Sequence, residues 1–326
     1  MRPPVSPSPP APAGLWRRTP PAIFTPVFGL LGIGLAWRRA AEVTALPAGA
    51  GEAFLGAMTL LYLFCLVAWL AKPLRRPGVI LDEMRVLPGR AGLASLCLST
   101  MLVAQVLRPY APGLALGVAV IATAMLVGLG ALVLWLALTG PEEARVITPV
   151  WHLVFVGYIL GPQVFIPLGM TGLSHGILYA TLATSTAIYA VSAVQLIRRI
   201  PPAPLRPLLA IHLAPASLLA LLASLLGMPT LALAFMGLAL AILAGLLAAG
   251  RWITAAGFSP LWGAFGFPLA ACASALYAIS GGAGVLGILG ALVLTAGLLS
   301  IPPIAWRIFR SWAKGGLAER TNAASA

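Results

Sequence analysis

The stretch FSPLWGAFGFPLA, residues 258–270, decides the fold. It lies inside a long apolar run, yet it carries Pro260, Gly263, Gly266 and Pro268, with Phe265 and Phe267 between them. Such residues are costly in a helix interior. A proline removes one backbone donor and frees the carbonyl four residues back. In lipid that carbonyl must find a partner in protein or in a water-filled cavity. A span built this way is expected away from lipid, in the middle of a bundle.

The rest of the chain supplies the bundle. Of 326 residues, 60% are hydrophobic and only 8% charged, far more apolar surface than a soluble core uses. Charges cluster between apolar runs of roughly 20 residues, the length that crosses a bilayer. Ten spans are predicted, at 22–41, 50–71, 91–107, 113–138, 149–168, 174–196, 206–226, 230–248, 259–280 and 284–305. The net charge of +13 does not point to nucleic acid, because the arginines flank spans and form no single basic stripe. With ten spans, only Arg38, Arg39 and Arg108 of the 20 Lys and Arg fall on one side. The positive-inside bias then places both termini in the cytoplasm.

Residues 1–21 are dense in proline and read as a disordered cytoplasmic tail. Residues 22–306 form the transmembrane domain and 307–326 a short cytoplasmic tail. Cys65, Cys97 and Cys272 are scattered through apolar runs, as buried inert thiols would be.

The odd spans begin near 22, 91, 149, 206 and 259, so the chain reads as five helical hairpins in series. Prolines concentrate in the odd spans: Pro26 in the first, Pro162 and Pro167 in the fifth, Pro215 in the seventh, Pro260 and Pro268 in the ninth. Span three lacks an internal proline but carries Ser95, Ser99, Thr100 and Gln105. The even spans are rich in Leu, Ala and Val. The expectation is an all-α membrane protein with an inner ring of five odd helices around an axial path, enclosed by five even helices facing lipid.

No Asp, Glu, Lys or Arg lies in the central part of any span. Ion-coupled cation pumps usually keep carboxylates there. A path with small, apolar and hydroxyl side chains suits anions instead, helped by exposed amides at kinks and arginines at the cytoplasmic mouth. Ser99, His152 and His212 are the candidate polar residues of this path, and His152 and His212 also form a candidate pair for haem or metal. No motif joins Ser and His into a nucleophilic site, and no enzyme activity is expected.

Three segments carry a resemblance: FGLLGIGLAWRRA (28–40), IHLAPASLLALLASLLG (211–227) and LWGAFGFPLA (261–270). Together they resemble the tellurite-resistance/dicarboxylate transporter family, which includes the plant slow anion channels. Pro215 stands at the family proline of span seven. The chain departs from the family in one extra residue between Trp262 and Phe265, and in Val154 where many members have a proline. The resemblance implies five hairpins in a quasi-fivefold ring and a homotrimer with one pore per protomer. It also implies passive or weakly coupled movement of small anions across a bacterial-type inner membrane, without a cofactor. In the family, the second Phe of the span-nine motif plugs the pore, and here that residue is Phe267. Gly266 and Pro268 would bend the helix around it. Phe265, two residues away, points elsewhere. The alternatives are a proton-linked C4-dicarboxylate or sulfite carrier of the same fold, and a haem or metal protein using the two histidines.

Overall fold

The computed structural model describes residues 14, 16–140 and 145–325. Most of the expected disordered tail, residues 1–13 and 15, lies outside the described residues. Among the described residues every regular element is helical. The long helices are α1 (Phe24–Val43), α2 (Ala48–Arg75), α4 (Leu87–Leu107), α5 (Pro112–Thr139), α8 (Thr171–Arg198), α9 (Leu213–Leu225), α10 (Pro229–Ala248), α12 (Gly266–Ser280) and α13 (Gly284–Ala313). Short α-helices are α3 (Val79–Arg85), α6 (Val150–Phe155), α7 (Pro162–Phe165), α11 (Gly250–Ile253) and α14 (Gly316–Arg320). With adjoining 3-10 turns counted in, nine helices of the described residues are long and apolar enough to cross a membrane.

The fifth expected span, 149–168, is not one helix. It runs as α6, a 3-10 turn at Gly157–Leu160, α7, and a second 3-10 turn at Ile166–Leu168. Pro162 and Pro167 remove amide donors, and Gly157 and Gly161 lie against side chains that a Cβ would strike. Close backbone approach and missing donors together keep a continuous α-helix from forming.

Three odd spans share one local design. In each, a 3-10 segment runs directly into an α-helix whose third residue is proline: Pro21–Ile23 into α1 with Pro26, Ala203–His212 into α9 with Pro215, and Pro260–Phe265 into α12 with Pro268. The first amides of an α-helix have no intrahelical acceptor, so a proline there forfeits little. The proline marks where the α-helix begins and does not kink its middle. Pro260 likewise opens its 3-10 segment.

Burial follows the odd-even order. The best membrane-length windows of the four continuous odd spans are 67–89% buried, whereas those of the five even helices are 17–33% buried. α1 packs on α4 and α12, α12 on α9, α9 on the Gly157–Leu160 turn, and that turn with α6 on α4. Each odd span also packs on an even helix: α1 on α2, α4 on α5, α9 on α10, and α12 on α13. The even helices are long. At 1.5 Å per residue, the 28 residues of α2 extend about 42 Å, beyond the roughly 30 Å hydrocarbon core.

The described end of the chain is folded back. Helix α13 continues to Ala313, and Gly315, in the left-handed region at φ 77°, turns it into α14. Leu317 is fully buried, and Arg18 approaches Glu319 at 4.0 Å. Nearby, Lys72 in the last turn of α2 forms a buried ion pair with Glu83 of α3. Burial raises the Glu83 carboxyl above its ordinary range, against the pull of the ammonium. Removing one partner of such a pair leaves an uncompensated charge. Lys72→Met should therefore cost about 3–5 kcal/mol, and Lys72→Met/Glu83→Leu should recover most of it. Thermal unfolding in detergent tests this, and equal melting of the single and double variants would refute it.

Candidate functional site

Three small cavities lie in series through the buried spans, with volumes of about 40, 20 and 20 Å³. Each holds no more than a water or two. Every residue lining them comes from the odd spans, and all five odd spans contribute to each cavity. The lining advances at helical spacing from one cavity to the next. On α1 it runs Thr25, Phe28, Gly32, Leu35; on α4 it runs Ser95, Leu98, Leu102, Gln105. No Asp, Glu, Lys or Arg lines any of the three.

Phe267 lines all three cavities and is 6% exposed. It sits at the second residue of α12, where the 3-10 segment gives way to α-helix. Its ring stacks on Phe28 of α1, with centroids 3.8 Å apart and planes 16° from parallel. Gly32, one turn beyond Phe28, makes room for it: a Cβ at Gly32 would lie 2.8 Å from Phe267 Cδ2. Gly266 has a packing role as well. A Cβ placed there would lie 3.2 Å from the Cα of Gly29, so both glycines let α1 and α12 cross closely. Phe265 packs edge-on against Trp262 and lines none of the three cavities.

The other expected site residues divide. Pro215 and Pro268 line cavities beside Phe267. Pro26 and Pro162 are buried but do not reach these cavities. Ser99 is fully buried, and its hydroxyl has no partner among the described residues; Ser95, one turn earlier, lines the first cavity instead. The two histidines do meet: His152 Nε2 and His212 Nδ1 are 3.1 Å apart. One ring must donate and the other accept, so the pair holds a single proton between them. Tyr189 braces it, donating to the His212 carbonyl at 2.6 Å. The mutual bond uses one nitrogen of each ring, His152 Nδ1 has no hydrogen-bond partner among the described residues, and no group of three or more His, Cys, Asp or Glu is placed for a metal among them.

Gln105 is among the polar residues that the sequence shows in span three, whereas Phe28 and Gln163 are not singled out there. Gln105 and Gln163 line the third cavity, where Gln105 donates to the Leu160 carbonyl at 2.8 Å. Their signal was an i, i+3, i+4 stripe, hidden because the opposite faces are apolar too. At the same end, Glu52 takes two 2.6 Å hydrogen bonds from Arg38 and one of 2.7 Å from Tyr110. Donation to that carboxylate pushes the Tyr110 phenol up. Arg38 is thereby neutralised, whereas Arg39 reaches only Gln163, at 3.5 Å.

Nine membrane-length apolar helices among the described residues define a polytopic membrane protein, and a series of buried, uncharged cavities runs through its bundle. The chain belongs to the voltage-dependent anion channel family, SLAC1, whose family model matches residues 18–306. That family comprises anion channels and transporters, so the chain's partners are anions and the bilayer. A comparison with curated proteins finds no match.

The close crossing at Gly29 and Gly266 sets an expectation. Gly29→Val should lower stability by about 1–3 kcal/mol, because neither backbone can yield. Gly128→Val is the control, since a Cβ at Gly128 meets nothing within 4 Å. Equal melting temperatures for the two variants would show that the crossing tolerates the added bulk.

Proposed function

We propose that the chain is an anion channel or permease held closed by the ring of Phe267. Its five odd spans form a quasi-fivefold inner ring, and the even helices shield them from lipid. The observation that carries this reading is the lining: five odd spans around each cavity, and one aromatic ring common to all three. The fifth span takes its place in the ring as a broken segment of short turns, giving ten membrane passes in all.

Thr25, Ser95 and Ser274 line the cavities with no Asp or Glu among the lining residues, which favours anions over cations. The gate then works by exclusion. A stacked pair of rings leaves no volume for a hydrated ion and no polar surface to keep water in place.

The arginine bias supports a cytoplasmic location for both termini, in a plasma or bacterial-type inner membrane. The transmembrane unit spans residues 22–306 and is read, by its resemblance, as one protomer of a homotrimer. Tellurite resistance is a phenotype to be assayed in cells.

In liposomes or oocytes, Phe267→Ala should raise chloride and nitrate conductance well above wild type. Phe28→Ala should raise open probability about two- to tenfold, the worth of one aromatic pair. An unchanged conductance in a well-expressed Phe267→Ala protein would remove this residue from the gate. A proton-linked carrier of C4-dicarboxylates or sulfite is the second reading, favoured by His152 on the wall of the middle cavity and its hydrogen bond to His212. Saturable malate uptake, lost on adding a protonophore and in His152→Gln, would select it over the channel.

A further inference from the structure

A cavity of about 530 Å³, far larger than the three described above, lies outside the central path. It lies between the C-terminal end of α8, the strand of chain entering α6, and the 3-10 segment Ala203–His212. Its chemistry is two-sided. Val146, Val194, Ile200 and Leu205 form apolar walls, and all four are exposed, Ile200 by 66%. The polar part consists of Arg198, Arg199, Thr148, Ser192, Gln195 and His212.

The polar groups are unsatisfied. The hydroxyls of Thr148 and Ser192 are buried atoms with no hydrogen-bond partner among the described residues. Buried polar groups are ordinarily paired, so two orphans in one cavity point to a missing partner. Neither Arg198 nor Arg199 makes a side-chain hydrogen bond or ion pair among the described residues, in contrast to Arg206. Arg206 bonds the carbonyls of Pro201 and Trp252 at 3.1 and 3.2 Å and stacks on the Trp252 ring. Two free guanidiniums, two free hydroxyls and an apolar wall facing outward match one class of ligand.

We infer that this cavity binds an anionic phospholipid. The phosphate sits on Arg198 and Arg199, Thr148 and Ser192 bond phosphate or ester oxygens, and an acyl chain lies along Val194, Ile200 and Leu205. A lipid fits better than a soluble anion because α8 is among the least buried helices and its exposed apolar side chains continue into the cavity wall. Basic pockets at membrane interfaces select anionic over zwitterionic headgroups.

The test is native mass spectrometry of the full chain in detergent, titrated with phosphatidylglycerol or phosphatidylcholine. Wild type should prefer phosphatidylglycerol by about thirtyfold, the expected effect of two interfacial cations. Arg198→Gln/Arg199→Gln should bring it to the phosphatidylcholine level. Arg251→Gln/Arg310→Gln, the same charge change elsewhere, should keep the preference. Val194→Trp, which fills the wall and keeps both arginines, should weaken both lipids, and it decides the matter if the arginine variant does not fold. The inference is overturned if the preference survives Arg198→Gln/Arg199→Gln, or if the control pair abolishes it equally. It is also overturned if inorganic phosphate alone displaces the lipid, which would make this a soluble-anion site. Loss of oligomers instead of lipid in Val194→Trp would make it a subunit contact and overturn it as well. None of these readouts depends on conductance, so failure of the gate reading and failure of this one are separable.

Discussion

The structure depends on one constraint: within hydrocarbon, every backbone N–H and C=O must be satisfied by the protein itself. A proline, or a junction between 3-10 and α-helix, leaves groups that lipid cannot pair. The 3-10 junctions therefore collect in the buried odd spans, and the less buried helices α2, α5, α8, α10 and α13 are long and continuous, with internal prolines only near the C-terminal ends of α2 (Pro73) and α13 (Pro302, Pro303). The repeated placement of proline at the third residue of α1, α9 and α12 shows how the constraint is met. The missing donor falls where an α-helix has none to spare for its own ladder. The irregular backbone is thus concentrated along the axis, next to the cavities.

That irregularity positions the Phe28–Phe267 pair. Because α12 begins at Gly266, Phe267 leaves the backbone at a point where α1 and α12 almost touch. Gly29 and Gly266 permit the approach, and Gly32 permits the ring. The stack joins two helices far apart in sequence and contributes to the packing of the bundle.

Much of this was legible beforehand. Composition and charge spacing revealed a multi-span protein, and the skew of prolines separated buried spans from lipid-facing ones. Phe267 stood out through a motif resemblance and its neighbours Gly266 and Pro268. Phe28 and Gln163 did not stand out, because in a chain apolar on every face a lining stripe has no hydropathy contrast. Span five misled for a similar reason. Its hydropathy is that of a membrane helix, whereas its prolines and glycines break it into four pieces. Ser99 shows the limit of residue type alone: Ser95, Ser99 and Thr100 lie close in the sequence, and only rotation about α4 selects Ser95 for the cavity.

By itself the amino-acid sequence determined the environment of each span, because transfer to hydrocarbon depends on composition and on missing backbone donors, both local properties. It determined the order of the apolar spans and the clustering of arginine between them. Only the tertiary structure decided which side chains meet: Phe28 with Phe267, His152 with His212, Lys72 with Glu83, and Thr148 with Ser192 at one cavity. These pairs are set by the rotation and closeness of helices distant in the chain. Helix rotation is fixed by packing at positions such as Gly29, Gly32 and Gly266, where space is the absence of a side chain.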